Sequence, residues 1–202
     1  MNLTFIGVEG IPMVEPGDDL VALIDAALAA TGEQLLADDV IVIAQKIISK
    51  AEDRYLDLRT VTPTEEAILL SEEVDKDPRK VQAILDESNE IVRQRPGVLI
   101  VEQRSGFVQA NAGIDQSNIR LGDGDPDDLC LLLPLDSDAS AQRLHATIRE
   151  RHNLEVGIII NDSLGRAWRM GTLGLSIGVA GFTALEDYIG GHDIFGRELL
   201  VT

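Results

Sequence analysis

The stretch Asp39–Ala44, which reads Asp-Val-Ile-Val-Ile-Ala, is a short β-branched run and predicts a buried strand. A similar run, Val156–Ile160, predicts a second strand late in the chain. The glycine-rich stretch Gly171–Gly181 predicts a further strand against which another backbone segment lies closely. Hairpin and helix signals surround these runs. The mixture favours an α/β or α+β domain in which helices flank a mixed sheet.

Cap residues and apolar spacing predict four helices. One of them opens at Asp77-Pro78, places Ile91 and Val92 on the same face as earlier apolar residues, and ends near Pro96-Gly97. The other helices are expected from Leu20 to a stop at Gly32, from a capping box at 62–65 with Pro63 as its first helical residue to about Val74, and over 136–152. Further strands are expected at 98–102, 106–110 and 129–133.

Length and charge limit the possible functions. A chain of 202 residues fits a single domain, 1–202, with a substantial core. Its formal net charge of −18 argues against nucleic acids and anionic membranes as partners. No apolar run approaches the roughly 20 residues that cross a bilayer, and the N-terminus lacks signal-peptide features. Cys130 is the only cysteine and lies among leucines, so we expect a buried, inert thiol and a cytoplasmic location.

Two polar segments, 110–118 and 161–166, each follow a strand-like run. The first contains Asp115 and the second Asp162. Aspartates at strand ends suit hard cations such as Mg²⁺ or Mn²⁺, which take oxygen ligands. Two carboxylates about 4 Å apart would repel by about 4 kcal/mol at an effective dielectric of 20, so a shared cation would compensate them. The alternative is that each aspartate simply forms an Asx-turn.

Neighbouring polar residues are likewise compatible with either a ligand-binding site or an ordinary turn or surface. Asn118 and Ser163 add neutral oxygens, and Ser163 could either ligate a metal or cap the following turn. Lys46 and Lys50 follow a strand end, where an ammonium group can reach a phosphate, although solvated surface lysines would look the same.

Arg166 and Arg169 flank Trp168 at the end of the second segment. Their guanidinium groups could clamp a phosphate or a carboxylate. Neither GxxxxGK[ST] nor GxGxxG occurs, so the fold is expected to be neither P-loop nor Rossmann. The histidines lack zinc-site spacing, and no GxSxG nucleophile elbow is present.

Taken together and in order, these motifs resemble the coenzyme F420-0:γ-glutamyl ligase family. The likeness covers Gly10–Asp19, Ile43–Glu52, Arg95–Gly97, Ala110–Asn118, Asn161–Arg169, Ile177–Gly181 and Asp193–Leu199.

The resemblance implies a family-specific α/β ligase fold and a GTP-dependent reaction. That reaction joins the amine of L-glutamate to the lactyl-phosphate carboxylate of coenzyme F420-0 and releases GDP and phosphate. It further implies a homodimer that uses Mg²⁺ or Mn²⁺ together with K⁺. Its metal ligands match Asp115, Asp162 and Ser163, and its GTP-contacting positions match Ile11, Pro12, Met13, Val14, Gln45, Lys46, Lys50 and Asn118. Our own inference adds Lys50, Arg166 and Arg169 as catalytic residues that grip phosphate or carboxylate groups.

Two departures from the family pattern are visible. Ser163 stands where threonine is usual, which keeps the hydroxyl group. The chain ends at Thr202, so we expect it to lack the family's C-terminal helix and strand, which supply further contacts.

Two other functions remain open. The chain could be a non-catalytic oligomerising or ligand-binding module on the ligase scaffold. It could also be a metal-dependent phosphohydrolase, since paired aspartates suit water activation as well.

Overall fold

A computed structural model describes residues 2–120, 125–165 and 170–201. The helices are α1 (Leu20–Thr31), α2 (Gln45–Ala51), α3 (Glu65–Val74), α4 (Pro78–Asp86) and α5 (Ser137–His152). The strands are β1 (Val40–Ala44), β2 (Tyr55–Asp57), β3 (Ser88–Arg95), β4 (Val98–Gln103), β5 (Val108–Ala110), β6 (Leu129–Leu131), β7 (Gly157–Gly165) and β8 (Thr172–Ala180).

The strands form separate sheets of different kinds. One has the order β1-β7-β8, with β1 parallel and β8 antiparallel to the central strand β7. Another is an antiparallel meander of β3, β4 and β5, and β2 pairs with β6. The mixed sheet and its flanking helices confirm the predicted fold class.

Helix ends follow their local signals. Asp19 caps α1 by accepting a hydrogen bond from the Ala22 amide, and Gly32 ends the helix in the left-handed conformation with φ of 77°. In α3 the capping residue is Thr64, whose hydroxyl accepts from Ala67, so Pro63 precedes the helix instead of opening it.

The helix predicted to run from Asp77 to Pro96 is wrong in its second half. Helix α4 ends at Asp86, and residues from Ser88 onward form β3, which pairs with β4. The apolar residues Ile91 and Val92 fit a helical period and a strand equally well over so short a run. Pairing with the buried β4 selects the strand, because that partner lies only a tight turn away at Pro96-Gly97.

Two strand predictions also change. Strand β7 does not stop at Ile160 but continues through Asn161, Asp162 and Ser163 to Gly165, because this segment pairs with β8. Strand β1 is not fully buried, since it lies at the edge of its sheet and leaves Val40 and Val42 more than half exposed.

Two hydrophobic clusters support these elements. The first joins α1, α2 and α5 to the mixed sheet, and the second joins α3 and α4 to β4 and the segments beside it. Their most deeply buried members include Val21, Ile48, Ile148, Ile158 and Ile160 in the first and Val74, Val81, Ile84, Leu99 and Val101 in the second.

Cys130 lies in the second cluster, and burial raises the pKa of its thiol to about 11. The expected burial of the thiol is therefore confirmed. None of the described helices combines the length and apolar character that a membrane span requires.

Candidate functional site

Helix α2 begins directly at the end of β1, and its lysines point at one loop. Because Lys46 and Lys50 are four residues apart, they share a helix face. The facing loop, which we call the site loop, is Asp115–Asn118. The prediction that both lysines follow a strand end is confirmed.

A tight turn leads into the site loop. After β5, residues Asn111, Ala112 and Gly113 all have positive φ angles of 54°, 55° and 73°. Non-glycine residues rarely adopt this conformation, and at a residue with a Cβ atom, such as Ala112, it strains the backbone. The side chain of Ala112 is buried, and Ile114 anchors the chain after the turn. The strained turn thus sets the direction from which Asp115 enters the site.

The backbone of Asp115 is fixed as well. Its amide donates to the Leu131 carbonyl at 3.0 Å, and its carbonyl accepts from the Leu131 amide at 2.8 Å. These bonds join the site loop to β6, and only the carboxylate of Asp115 is left to interact with α2.

Lys46 holds the site loop through three contacts. Its ammonium group lies 2.7 Å from Oδ2 of Asp115 and donates to the Ser117 carbonyl at 2.7 Å and to the Ser117 hydroxyl at 3.1 Å. The Ser117 amide donates to Oδ1 of Asp115 at 2.6 Å. Burial raises the pKa of Asp115, but the bonds from Lys46 and Ser117 outweigh it, so the pKa lies below its ordinary value and the carboxylate is ionised.

Lys50 is more deeply buried, with only 5% of its surface exposed. Its ammonium donates to the Asn118 carbonyl at 2.9 Å, and Asn118 itself adopts a positive φ of 53°. Burial, helped by the charge of Lys46, lowers the pKa of Lys50. A partly desolvated ammonium beside a second one is well placed to bind an anion.

Asp162 reaches the same place from the mixed sheet. It follows Asn161, which pairs with Ala44, the residue immediately before α2. An irregularity of the β7–β8 register lies at Ile160 and Asn161, and such β-bulges redirect the side chains that follow. A Cβ atom on Gly174 would lie 2.7 Å from Oδ1 of Asn161, so this glycine in β8 makes room for the Asn161 side chain. A Cβ atom on Gly178 would collide with the backbone carbonyl of Ser137, so the predicted close approach of another backbone segment to the glycine-rich strand is confirmed.

The electrostatics of Asp162 differ from those of Asp115. Burial raises its pKa, and the negative charge of Asp115 raises it further, against opposing effects of the Ser163 amide and Lys46. Among the residues that the structure describes, no side chain forms an ion pair with Asp162. The charges of Asp115 and Lys46 thus both act on Asp162, and the predicted metal ligation by the two aspartates stays a prediction.

The remaining predicted residues lie at varying distances from this centre. Val14 is buried and Ile11 packs against the first cluster beside α2, whereas Pro12 and Met13 are exposed. Ser163 is exposed, and its amide donates to Oδ1 of Asp162. Arg166 and Arg169 lie outside the described residues, so their predicted role is untested.

Gln45 contributes to the interior of α2. It is 4% exposed, and its amide donates to the Ser49 hydroxyl at 2.8 Å. In this arrangement its side chain stabilises the helix that presents the lysines, and its predicted contact with GTP stays a prediction.

Sequence reasoning missed Ser117 and Lys80. Ser117 bonds both Lys46 and Asp115, and Lys80 donates to the side chain of Gln116 at 2.6 Å. Ser117 could have been noticed as the third residue of an Asx-turn at Asp115. Lys80 gave no such signal, because a helix 35 residues earlier cannot be linked to the loop without the fold.

The donor set can be tested for a divalent cation. Within the described parts of the chain, no three His, Cys, Asp or Glu side chains come together as a metal cluster. Asp115 and Asp162 offer two carboxylates whose charges repel each other, and Asp162 has no ion-pair partner among the described side chains. Two carboxylates with a hydroxyl suit Mg²⁺ or Mn²⁺, which bind proteins through few carboxylates and complete their shells with water or substrate phosphates. The residues therefore fit such an ion.

Two cavities of about 330 and 310 Å³ lie away from this cluster. The larger one is lined by residues of α1, α2 and α5. Its lining includes the ion pairs of Arg143 with Glu52 and of Arg151 with Asp19. Its basic groups are already paired, so we place the candidate site at the Lys46–Asp115–Asp162 cluster instead.

Comparison with known proteins defines the class. The sequence profile of F420-0:gamma-glutamyl ligase matches residues 10–202, and the chain belongs to that family. The coenzyme F420:L-glutamate ligase of Methanothermobacter thermautotrophicus is 44% identical over 202 residues, which are 100% of this chain and 78% of the relative. The proteins of the same name from Methanopyrus kandleri and Haloarcula marismortui are 40% and 39% identical, and the matches cover 100% and 96% of this chain and 77% and 74% of those relatives.

Proposed function

We propose that this protein is a GTP-dependent ligase that adds L-glutamate to coenzyme F420-0 in F420 biosynthesis. The observation that carries the proposal is the meeting of Lys46, Lys50, Asp115 and Asp162 around one loop, in a chain 44% identical to a coenzyme F420:L-glutamate ligase. A reaction among several anions requires cationic groups and shielded carboxylates at one place, and these residues provide them.

The proposed reaction has two steps. An oxygen of the acceptor carboxylate attacks the γ-phosphorus of GTP, which forms an acyl phosphate and expels GDP. The glutamate amine then attacks the acyl carbon, and the C–O bond breaks to release phosphate and leave an amide. Phosphoryl transfer depends mainly on positioning and charge neutralisation.

The side chains of α2 would supply that positioning. Lys50 lies buried at the loop and would hold a phosphate oxygen of GTP through its ammonium group. Lys46 would keep the site loop in place through Asp115 and Ser117. Arg166 and Arg169 are proposed to grip a substrate carboxylate.

Asp115, Asp162 and Ser163 would hold the Mg²⁺ or Mn²⁺ ion. When bound, such an ion neutralises phosphate charge and orients the transferred group. The involvement of K⁺ is a further expectation from the family.

A homodimer in the cytoplasm is also proposed. Apolar side chains near the C-terminal end, Ile194 and Phe195, are 93% and 87% exposed, and Phe5 near the other end is 89% exposed. Such exposure is typical of surfaces that a partner covers. Light scattering should give a mass of about twice 21.9 kDa, and a monomer at micromolar concentration would remove this part of the proposal.

The decisive test is incubation of the protein with coenzyme F420-0, GTP, Mn²⁺ and labelled L-glutamate, followed by mass analysis. We expect a product heavier by one glutamyl residue and GDP in equal amount. Nucleotide binding without turnover would indicate a non-catalytic module. GTP hydrolysis that needs neither glutamate nor the deazaflavin would indicate a phosphohydrolase. Either outcome contradicts the proposed ligase.

A further inference from the structure

The lysines of this chain are concentrated around one loop. There are four of them, Lys46, Lys50, Lys76 and Lys80. Three donate hydrogen bonds to the site loop, and the fourth is coupled electrostatically to Lys80. In a chain with a formal net charge of −18, this concentration of flexible cations indicates a local site that attracts anionic groups.

Lys80 reaches the site loop from a second helix, α4, which packs in the second cluster, whereas α2 packs in the first. Its ammonium donates to Oε1 of Gln116 at 2.6 Å, and Nε2 of Gln116 donates to the Asp127 carbonyl at 3.2 Å. Gln116 follows Asp115 directly. Within the described residues the bond to Gln116 is the hydrogen bond that Lys80 makes, and an ammonium group has three N–H donors.

Two nearby carboxylates, those of Asp77 and Asp128, are already paired with an arginine. Arg79 lies 2.6 Å from Oδ2 of Asp77 and 2.8 Å from Oδ1 of Asp128. Within the described residues, neither Lys76 nor Lys80 forms an ion pair with a carboxylate. Among the described residues, these two lysines therefore have no direct ion-pair partner, although the neighbouring Asp75 acts on Lys76.

Lys76 is half-buried. Burial lowers its pKa, and the charge of Lys80 lowers it further, which the neighbouring Asp75 offsets only in part. Two ammonium groups that repel each other at a partly desolvated site are unfavourable unless an anion joins them.

We propose that Lys76 and Lys80 bind an acidic group, a carboxylate or a phosphate ester, of a substrate other than the nucleotide. This inference rests on the proposed ligase function, in which Lys50 on α2 holds GTP. The acceptor carries both a phosphate ester and a carboxylate, and glutamate carries two carboxylates. The pair would thus place the second anionic substrate against the loop that bears Asp115.

The test is a steady-state comparison of wild type with K76Q/K80Q, in the full chain. We expect the KM for either F420-0 or L-glutamate to rise about tenfold or more, since charge-assisted hydrogen bonds are the strong ones. The KM for GTP should stay within about twofold. K76R/K80R should restore much of the affinity, which a purely structural contact of Lys80 with Gln116 does not predict. R93Q/R95Q removes the same charge from exposed positions on β3 and should change no KM.

The two sources of the acidic group are separated by which KM rises. A rise for F420-0 assigns the pair to the acceptor, and a rise for glutamate assigns it to the amino acid. An unchanged KM for both, or a rise confined to GTP, would overturn the inference.

Binding measurements separate this inference from the proposed function. Equilibrium dialysis with F420-0 or labelled glutamate requires no turnover. If wild type binds one of them without forming product, the ligase proposal fails, and the lysine pair is still judged by whether K76Q/K80Q loses that binding. If wild type binds neither compound, the lysine pair is rejected too.

Discussion

Asp115 and Asp162 occupy the same site but are held in opposite ways. Asp115 lies in a loop, where Lys46 and Ser117 bind both of its oxygens and lower its pKa. Asp162 lies within β7, where burial and the charge of Asp115 raise its pKa. Among the described residues, the protein therefore pairs one carboxylate with a lysine and forms no ion pair with the other.

This difference indicates how a cation would be selected. A second internal lysine at Asp162 would make the site electrostatically complete and would repel a metal ion. Because no side chain in the described part of the chain forms an ion pair with Asp162, an added cation would relieve both the desolvation of Asp162 and its repulsion from Asp115.

The largest expected effect is the loss of activity in D115N. Removing this carboxylate should lower metal-dependent ligation by about 10²–10³-fold, the scale found for one preorganised electrostatic group. Product formation measures it, and circular dichroism should show an intact fold. D38N serves as the control, because Asp38 is exposed and its positive φ of 67° suits asparagine. Unchanged turnover in D115N would remove Asp115 from the mechanism.

A smaller effect concerns metal and thermal stability. Mn²⁺ at 100 times its Kd should stabilise wild type by about 2.7 kcal/mol, by mass action on the folded state. D162N should show little of this gain, because it lacks the uncompensated carboxylate. Thermal melts with Mn²⁺ and with a chelator test this prediction. An equal metal-dependent shift in D162N and wild type would show that the ion binds elsewhere.

Without metal, D115N should lower the free energy of unfolding, whereas D162N should leave it unchanged or raise it. D115N loses the pair with Lys46 and should be destabilised by about 0.5–1 kcal/mol, since that pair is partly exposed. D162N loses a desolvated charge and a repulsion, so it should be equal to wild type or more stable. Urea unfolding in chelator measures both variants. Equal destabilisation of D115N and D162N would contradict the view that the two carboxylates are held in opposite ways.

The smallest effect is the pH dependence of these differences. The folded chain binds a proton at Asp162 more tightly than the unfolded chain does, so this residue's contribution to stability falls as pH rises from 3.8 through its raised pKa. Asp115 has the opposite sign, and its contribution is lost as pH falls from 3.8 through its lowered pKa. Urea unfolding across this acid range should show wild type losing stability relative to D162N with rising pH. If the free energies of unfolding of wild type and D162N changed with pH in parallel, the raised pKa of Asp162 would be refuted.

Much of the local structure could be predicted. The limits of α1 follow from Asp19 and Gly32, and β1 and β8 follow from their β-branched and glycine-rich runs. Sequence failed where two periods fit one short segment, as at Ile91 and Val92. It also failed at Asn161–Gly165, where polar composition indicated a loop but pairing with β8 extends the strand.

The amino-acid sequence by itself determined the fold class, the family and which aspartates and lysines to consider, because caps, periodicity and ordered motifs are local properties. Only the tertiary structure decided which lysine compensates which carboxylate. It also brought Lys80, from a helix 35 residues before Asp115, to the site loop. Charge interactions depend on distance and burial, and neither quantity is encoded in the spacing of residues along the chain.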